Sequence, residues 1–204
     1  MNEMQNILKF LHLAEKLKCE LRHSWLSSGR QESVAEHSWR ISLMACIFYS
    51  HLEVKVDLKK SLKIAIIHDL AEAEAYDVPA FESHRQEEKK SVELKAMQNI
   101  KKLDSNFSDE IFDLWQEYEE QKTFEAKFIK ALDKMEVRLQ HNEADMETWN
   151  DVEYPRSQYV ADRFCDFDKF LKEFNRLIKE ESKDKIIKSG RNFQEVEKEV
   201  KELQ

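Results

Sequence analysis

Ile64-Ala65-Ile66-Ile67-His68-Asp69-Leu70-Ala71-Glu72-Ala73-Glu74-Ala75-Tyr76-Asp77 is the stretch on which the interpretation of this chain turns. Leu62, Ile64, Ala65, Ile66 and Ile67 form an apolar run compatible with a helix, and Asp57 offers an N-cap, so a helix is expected over about 58–75. Pro79 disfavours helical backbone at the residue before it, which places the stop near Tyr76 and a loop over 77–84. The apolar run delivers His68 and Asp69 into or beside a core. A carboxylate buried there is costly unless it is paired or bound to metal. A divalent cation removes that cost and also accepts an imidazole nitrogen. Adjacent helical side chains diverge by about 100°. Both can reach one ion only if it sits between their directions, and Glu72, one turn beyond Asp69, then faces the same cavity.

Outward from that stretch the chain reads as helical throughout. Only two Gly and two Pro occur in 204 residues, too few for the turns of a β-rich protein, while Leu, Lys, Glu and Ala abound. Helices are expected over about 4–21, 34–52, 85–103, 108–120, 123–147 and 158–180, with a polar stretch from Ser24 to Ser33. The 123–147 helix carries Phe124, Phe128, Ala131, Leu132, Met135 and Leu139 on one face. Ala126, Ile129 and Val137 share a second stripe with Asp133, so this helix is expected to be central and buried. The expected fold class is all-α: a single helical bundle over 1–155 with a charged helical extension over 156–204, packing on the domain or on a partner subunit.

Two further residues repeat the argument made for His68 and Asp69. Asp133 is an acid in an apolar stripe, and His37 stands near a helix start in Glu32-Ser33-Val34-Ala35-Glu36-His37. Singly, each has a plainer explanation: His37 as a cap or surface residue, His68-Asp69 as a chance pair, Asp133 as an ion-paired acid. Their order and setting together point to metal. Two His and two Asp make a mixed nitrogen and oxygen shell with room for water, which suits Mn, Fe, Co, Ni or Zn better than Mg or Ca alone.

A net charge of −8 and the absence of a basic run argue against a nucleic-acid binder but leave room for a small phosphorylated ligand. Cys19, Cys46 and Cys165 form no zinc pair and no disulfide framework, which fits a reducing, cytoplasmic setting. No signal peptide or membrane-spanning run is expected, and so no membrane partner.

The pattern H…HD…D, here His37, His68-Asp69 and Asp133, resembles the HD-domain metal-dependent phosphohydrolases, and within them the small 5′-deoxynucleotidases. The flanks agree: Glu32-Ser33-Val34-Ala35-Glu36 before His37, Glu72 and Asp77 after the HD pair, and Glu125-Ala126-Lys127-Phe128-Ile129-Lys130-Ala131-Leu132 before Asp133. The likeness spans roughly residues 5–150. It implies one divalent transition metal per chain held by His37, His68, Asp69 and Asp133. It also implies release of phosphate from (deoxy)nucleoside 5′-monophosphates. Glu72 is then the candidate to orient or deprotonate water or to protonate the leaving group, or else a partner fixing a His tautomer. Asp77 takes the sugar, and Arg22 clamps the phosphate. Lys134, next to a ligand, adds charge. Two departures bear on substrate preference: Tyr76 stands where the branch has Gly, and His23 stands beside Arg22 where the branch has Trp.

Other phosphoesters remain open as substrates (a cyclic nucleotide, a guanosine polyphosphate or a phosphonate), as does a non-catalytic metal-binding scaffold. The tail carries Phe193, Val196, Val200 and Leu203 in one stripe, which must pack on something. With the resemblance, this favours a homodimer.

Overall fold

The computed structural model describes residues 2–75, 86–103 and 106–203. Asp77, the 77–84 loop and His84 lie outside the described residues. The helices are α1 (Glu3–Ala14), α2 (Val34–Phe48), α3 (Leu58–Ile67), α4 (Glu72–Ala75), α5 (Gln86–Lys101), α6 (Asn106–Glu120), α7 (Phe124–Glu143), α8 (Glu153–Arg156), α9 (Asp162–Cys165), α10 (Lys169–Lys188) and α11 (Phe193–Leu203).

The starts follow local chemistry. Ser33 caps α2 in a box with Glu36, Asp57 caps α3 through the Lys60 amide, and Thr123 caps α7 through the Ala126 amide. α2, α3 and α7 pack on one another, with α6 against α3 and α7, and α9 and α10 against α7. Ile41 and Ala45 from α2, Ile64 and Ala65 from α3, and Phe128, Ile129, Leu132 and Met135 from α7 are fully buried in one core. Each large side chain there contributes about 1.5–3 kcal/mol by leaving water. Ile41→Ala would cost about 2–5 kcal/mol. α7 is central and buried on both faces, as its two stripes predict, although Phe124 at its start is exposed. Residues beyond 155 join the same core through Ala161, Cys165, Leu171 and Ile178.

Four expectations change in detail. The first helix ends at Ala14 and passes through a 3-10 turn at Glu15–Lys18. The polar stretch after it is a hairpin: β1 (Leu21–Trp25) pairs antiparallel with β2 (Gln31–Ser33). Gly29, at φ 81, makes its turn possible. The 58–75 helix breaks: α3 stops at Ile67, residues 68–71 form turns, and α4 resumes at Glu72. The 158–180 helix also divides, because Asp168 accepts from the Phe170 amide at 2.9 Å and starts α10 there. Its other oxygen accepts from the Glu53 amide at 2.7 Å, tying that start to the α2–α3 connection.

The tail settles on its own chain. Val196 is buried with Trp149, Tyr154 and Ile186 in a separate small cluster, with Phe193 against it, while Leu203 at the far end of the stripe stays exposed.

Candidate metal centre

The turn that ends α3 answers the geometric difficulty of two neighbouring ligands on one helix. His68 is the C-cap of α3 and Asp69 lies beyond it, so their directions are set by turn backbone. His68 Nε2 and Asp69 Oδ2 are 3.2 Å apart. His37 comes in from the first turns of α2, fully buried, with its Nε2 3.7 Å from the same Asp69 oxygen. Asp133 on α7 brings Oδ1 to 3.5 Å from His37 Nε2. One donor atom from each of His37, His68 and Asp69 falls within 4.8 Å of the others, a spacing that one cation can bridge.

The tautomers follow from what the other ring nitrogens do. His68 Nδ1 lies 2.8 Å from the Ala65 carbonyl, which can only accept, so Nδ1 carries the proton. His37 Nδ1 donates to the buried carboxylate of Glu136. In the neutral imidazoles, the form that binds a cation, both Nε2 atoms therefore present lone pairs to the cluster. Both are buried, and neither makes a hydrogen bond of acceptable geometry. Two orphaned imidazole lone pairs facing two carboxylates are what a divalent cation would satisfy, so the residues present fit such an ion.

The electrostatics agree. Burial and Arg22 work against charging His37, yet Glu136 and Asp133 pull its imidazole up to about 10. The pocket draws positive charge to that nitrogen. Burial alone would raise the Asp69 carboxyl, but His68, His37 and Arg22 hold it well below the usual carboxylate range. Asp133 is likewise held low against burial, by Lys134, His37 and Lys130. Its Oδ2 accepts from the Tyr118 hydroxyl at 2.9 Å and lies 3.0 Å from Lys134 Nζ.

A cavity of about 380 Å³ opens over this cluster, within the size range of small-molecule sites. Arg22, His23, Glu72 and Lys134, all expected from the sequence, line it. Arg22 sits on β1, 3.2 Å from Asp69 Oδ2 and 3.3 Å from Glu32 Oε2, so the hairpin hangs the guanidinium between two acids. Glu72, at the start of α4, is buried and takes a 3.0 Å contact from Lys89 on α5. His23 is held by Glu153 at 2.9 Å.

Several contributors escaped the sequence reading. Glu136 fixes the His37 tautomer, and the only hint of it was its place three residues after Asp133. Glu32 is buried, and burial together with Glu136 pushes its carboxyl up to about 7. Its hint was position alone, at the head of the segment leading to His37. Lys89 and Tyr118 come from α5 and α6 and had no sequence signal. His141 had no part in the expected site. It lines the cavity instead, 3.3 Å from Glu153.

The comparisons with known proteins fall on the same segment. Residues 14–175 match the family model described as HD domain. The chain is 36% identical over 148 residues to 5′-deoxynucleotidase HDDC2 of Danio rerio, covering 69% of this chain and 70% of that protein. It is 34% identical over 142 residues to 5′-deoxynucleotidase HDDC2 of Homo sapiens, covering 68% of each. Among solved structures, a protein of Magnetospirillum magnetotacticum MS-1 described as a predicted metal-dependent phosphohydrolase superposes with a TM-score of 0.74 at 28% identity, over 89% of this chain and 96% of that one.

Proposed function

The chain belongs to the HD-domain phosphohydrolase family and is a 5′-deoxynucleotidase-like hydrolase, and from that premise we propose that it releases phosphate from deoxynucleoside 5′-monophosphates with one divalent transition metal held by His37, His68, Asp69 and Asp133. The observation that carries the proposal is the convergence of two buried Nε2 lone pairs on Asp69 and Asp133 at the floor of a nucleotide-sized cavity.

A cation bound there would supply Lewis acidity, polarising a phosphoryl oxygen and lowering the pKa of an attacking water. The rest falls to side chains of the chain. Arg22 offers guanidinium donors to the phosphate while its contact with Asp69 fixes its angle. Glu72 holds or moves the proton of the water or of the leaving oxygen at its carboxylate. Lys89, 3.0 Å from Oε1, orients that carboxylate from α5. Lys134 sets a positive charge beside Asp133 and faces the cavity, where negative charge builds up in the transition state. His23, anchored on Glu153, contacts the substrate next to Arg22. Asp77 keeps its proposed role at the sugar on the strength of the resemblance. No helix among the described residues is long and apolar enough to cross a membrane.

The test is phosphate release from a panel of deoxy and ribo 5′-monophosphates, each with Mn, Co, Zn, Fe or Ni. Release from a deoxynucleotide with at least one metal is expected, and none with any combination overturns the proposal. Homodimerisation is carried forward from the family likeness. Sedimentation of the full chain at micromolar concentration tests it, and a monomer overturns it.

A further inference from the structure

The wall of the cavity away from the ligands is built by α7, α8, α9 and the turns between the last two. Its charge is unlike that of the metal end. Arg138 lies five residues beyond Asp133 on α7, about 7.5 Å further along the axis, and it too lines the cavity. It is only 6% exposed. One amino group donates to the Lys134 carbonyl, the other to the Arg156 carbonyl at 3.1 Å, and Nε has no hydrogen-bond partner among the described residues.

No carboxylate of the described residues pairs with Arg138, or with its cavity neighbours Arg156 and Arg163. Burial first, and then the charge of Arg156, push the Arg138 guanidinium down to about 10. A buried guanidinium beside a second cation is costly without a counter-ion. Tying α7 to backbone does not require that charge. Gln140 on the same helix makes such a tie, to the Trp25 carbonyl at 2.7 Å, with a neutral amide. The same lining includes the apolar side chains of Val137, Val160 and Phe164, which suit an uncharged part of the ligand.

We propose that Arg138, Arg156 and Arg163 form a second oxyanion subsite, which takes a further phosphate group carried by the substrate. The inference rests on the nucleotidase assignment above, which puts the scissile phosphate at the metal end. A neutral base carbonyl also accepts from arginine, but three cations with no carboxylate of the described residues paired to them favour a full negative charge.

Titration calorimetry of the metal-loaded full chain tests this. The probes are the non-hydrolysable 5′-methylenephosphonate analogue of deoxyadenosine monophosphate, the same analogue bearing a 3′-phosphate, and inorganic phosphate. The 3′-phosphate is expected to tighten binding by about tenfold or more. Arg156→Gln with Arg163→Gln should erase that gain and move the affinity of the analogue without the 3′-phosphate by less than about twofold. Arg138→Gln should do the same once circular dichroism shows it folded. The inference is overturned if the 3′-phosphate brings no gain, if the gain survives the double variant, or if both analogues weaken equally, which would assign the arginines to the base. Arginine-dependent binding of inorganic phosphate without a 3′-phosphate gain would make the anion a free one and overturn the substrate-borne form. A chain that cleaves no nucleoside monophosphate yet keeps the arginine-dependent gain would break the nucleotidase assignment alone.

Discussion

At the metal end of the cavity the side chains are held from behind: His68 by the Ala65 carbonyl, His37 by Glu136, Asp133 by Tyr118 and Lys134. These residues stand on or beside α2, α3, α6 and α7, which share one core. Across the cavity, Arg156 and Arg163 stand on or next to four-residue helices. No acid among the described residues pairs with their guanidinium groups, and Arg163 rests over the Phe164 ring at 4.5 Å. The contrast separates two tasks. Chemistry needs donor atoms fixed to a fraction of an ångström before substrate arrives, whereas recognition tolerates a wall that settles around its ligand.

The most drastic way to break the metal end is to remove a donor. His68→Ala or Asp69→Ala should abolish metal retention and turnover together, read by elemental analysis of protein purified without chelator. Retained stoichiometric metal in either variant would refute the ligand assignment. Next in size is Glu72→Gln, expected to lower kcat by roughly 10²–10⁴-fold with metal still bound. An unchanged kcat would move Glu72 out of proton transfer.

Glu136→Gln probes the support behind a ligand. Metal affinity should fall by about 10–100-fold in chelator competition, while the affinity for the 3′-phosphate group should not follow it. If both fall together, the two sides of the cavity are not independent. Proton linkage sharpens the same point. With the His37 imidazole raised to about 10, the cation-free chain carries a proton there at neutral pH. Metal uptake near pH 7 should then release about one proton, measured by calorimetry in buffers of different ionisation enthalpy. Uptake without proton release would mean that His37 is already neutral in the cation-free chain, with its Nε2 lone pair free before the cation arrives.

The smallest effect concerns the cap that positions His37. Arg30 first, and the Ser33 amide and hydroxyl with it, hold the Glu36 carboxyl down at about 2 from its ordinary 4.5. The depressed value means that the stabilisation is present above about pH 4.5 and disappears as pH falls toward 2. Glu36 is more than a third exposed, so Glu36→Gln should cost only about 0.5 kcal/mol at pH 7 and nothing at pH 2. Urea melts at the two values check it.

What the sequence disclosed and withheld divides along physical lines. α7 was legible because burial on two faces writes two apolar stripes into one helix. His37, His68, Asp69 and Asp133 were legible because polar residues in apolar settings demand a reason. The β1–β2 hairpin was missed because its pairing joins two short segments in a stretch with no sustained apolar alternation. The break after Ile67 was missed because no Gly or Pro marks it. Turn backbone there serves the site rather than local propensity. Lys89, Tyr118 and Glu136 act through contacts between helices, which no spacing within one helix reveals.

The small cluster of Trp149, Tyr154, Ile186 and Val196 gives the molecule a second, weaker seam. It joins α11 to α8, and α8 carries Glu153 and Arg156 of the cavity wall. A cluster of that size releases its backbone amides to solvent at a lower free energy than the core of α2, α3 and α7 does. Amide exchange would therefore run as two clocks, fast along α8 and α11 and slow around the ligands. Each opening of the seam would loosen the grip on the substrate's far end and the Glu153 anchor of His23, while His37 and His68, held by the larger core, would stay where they were.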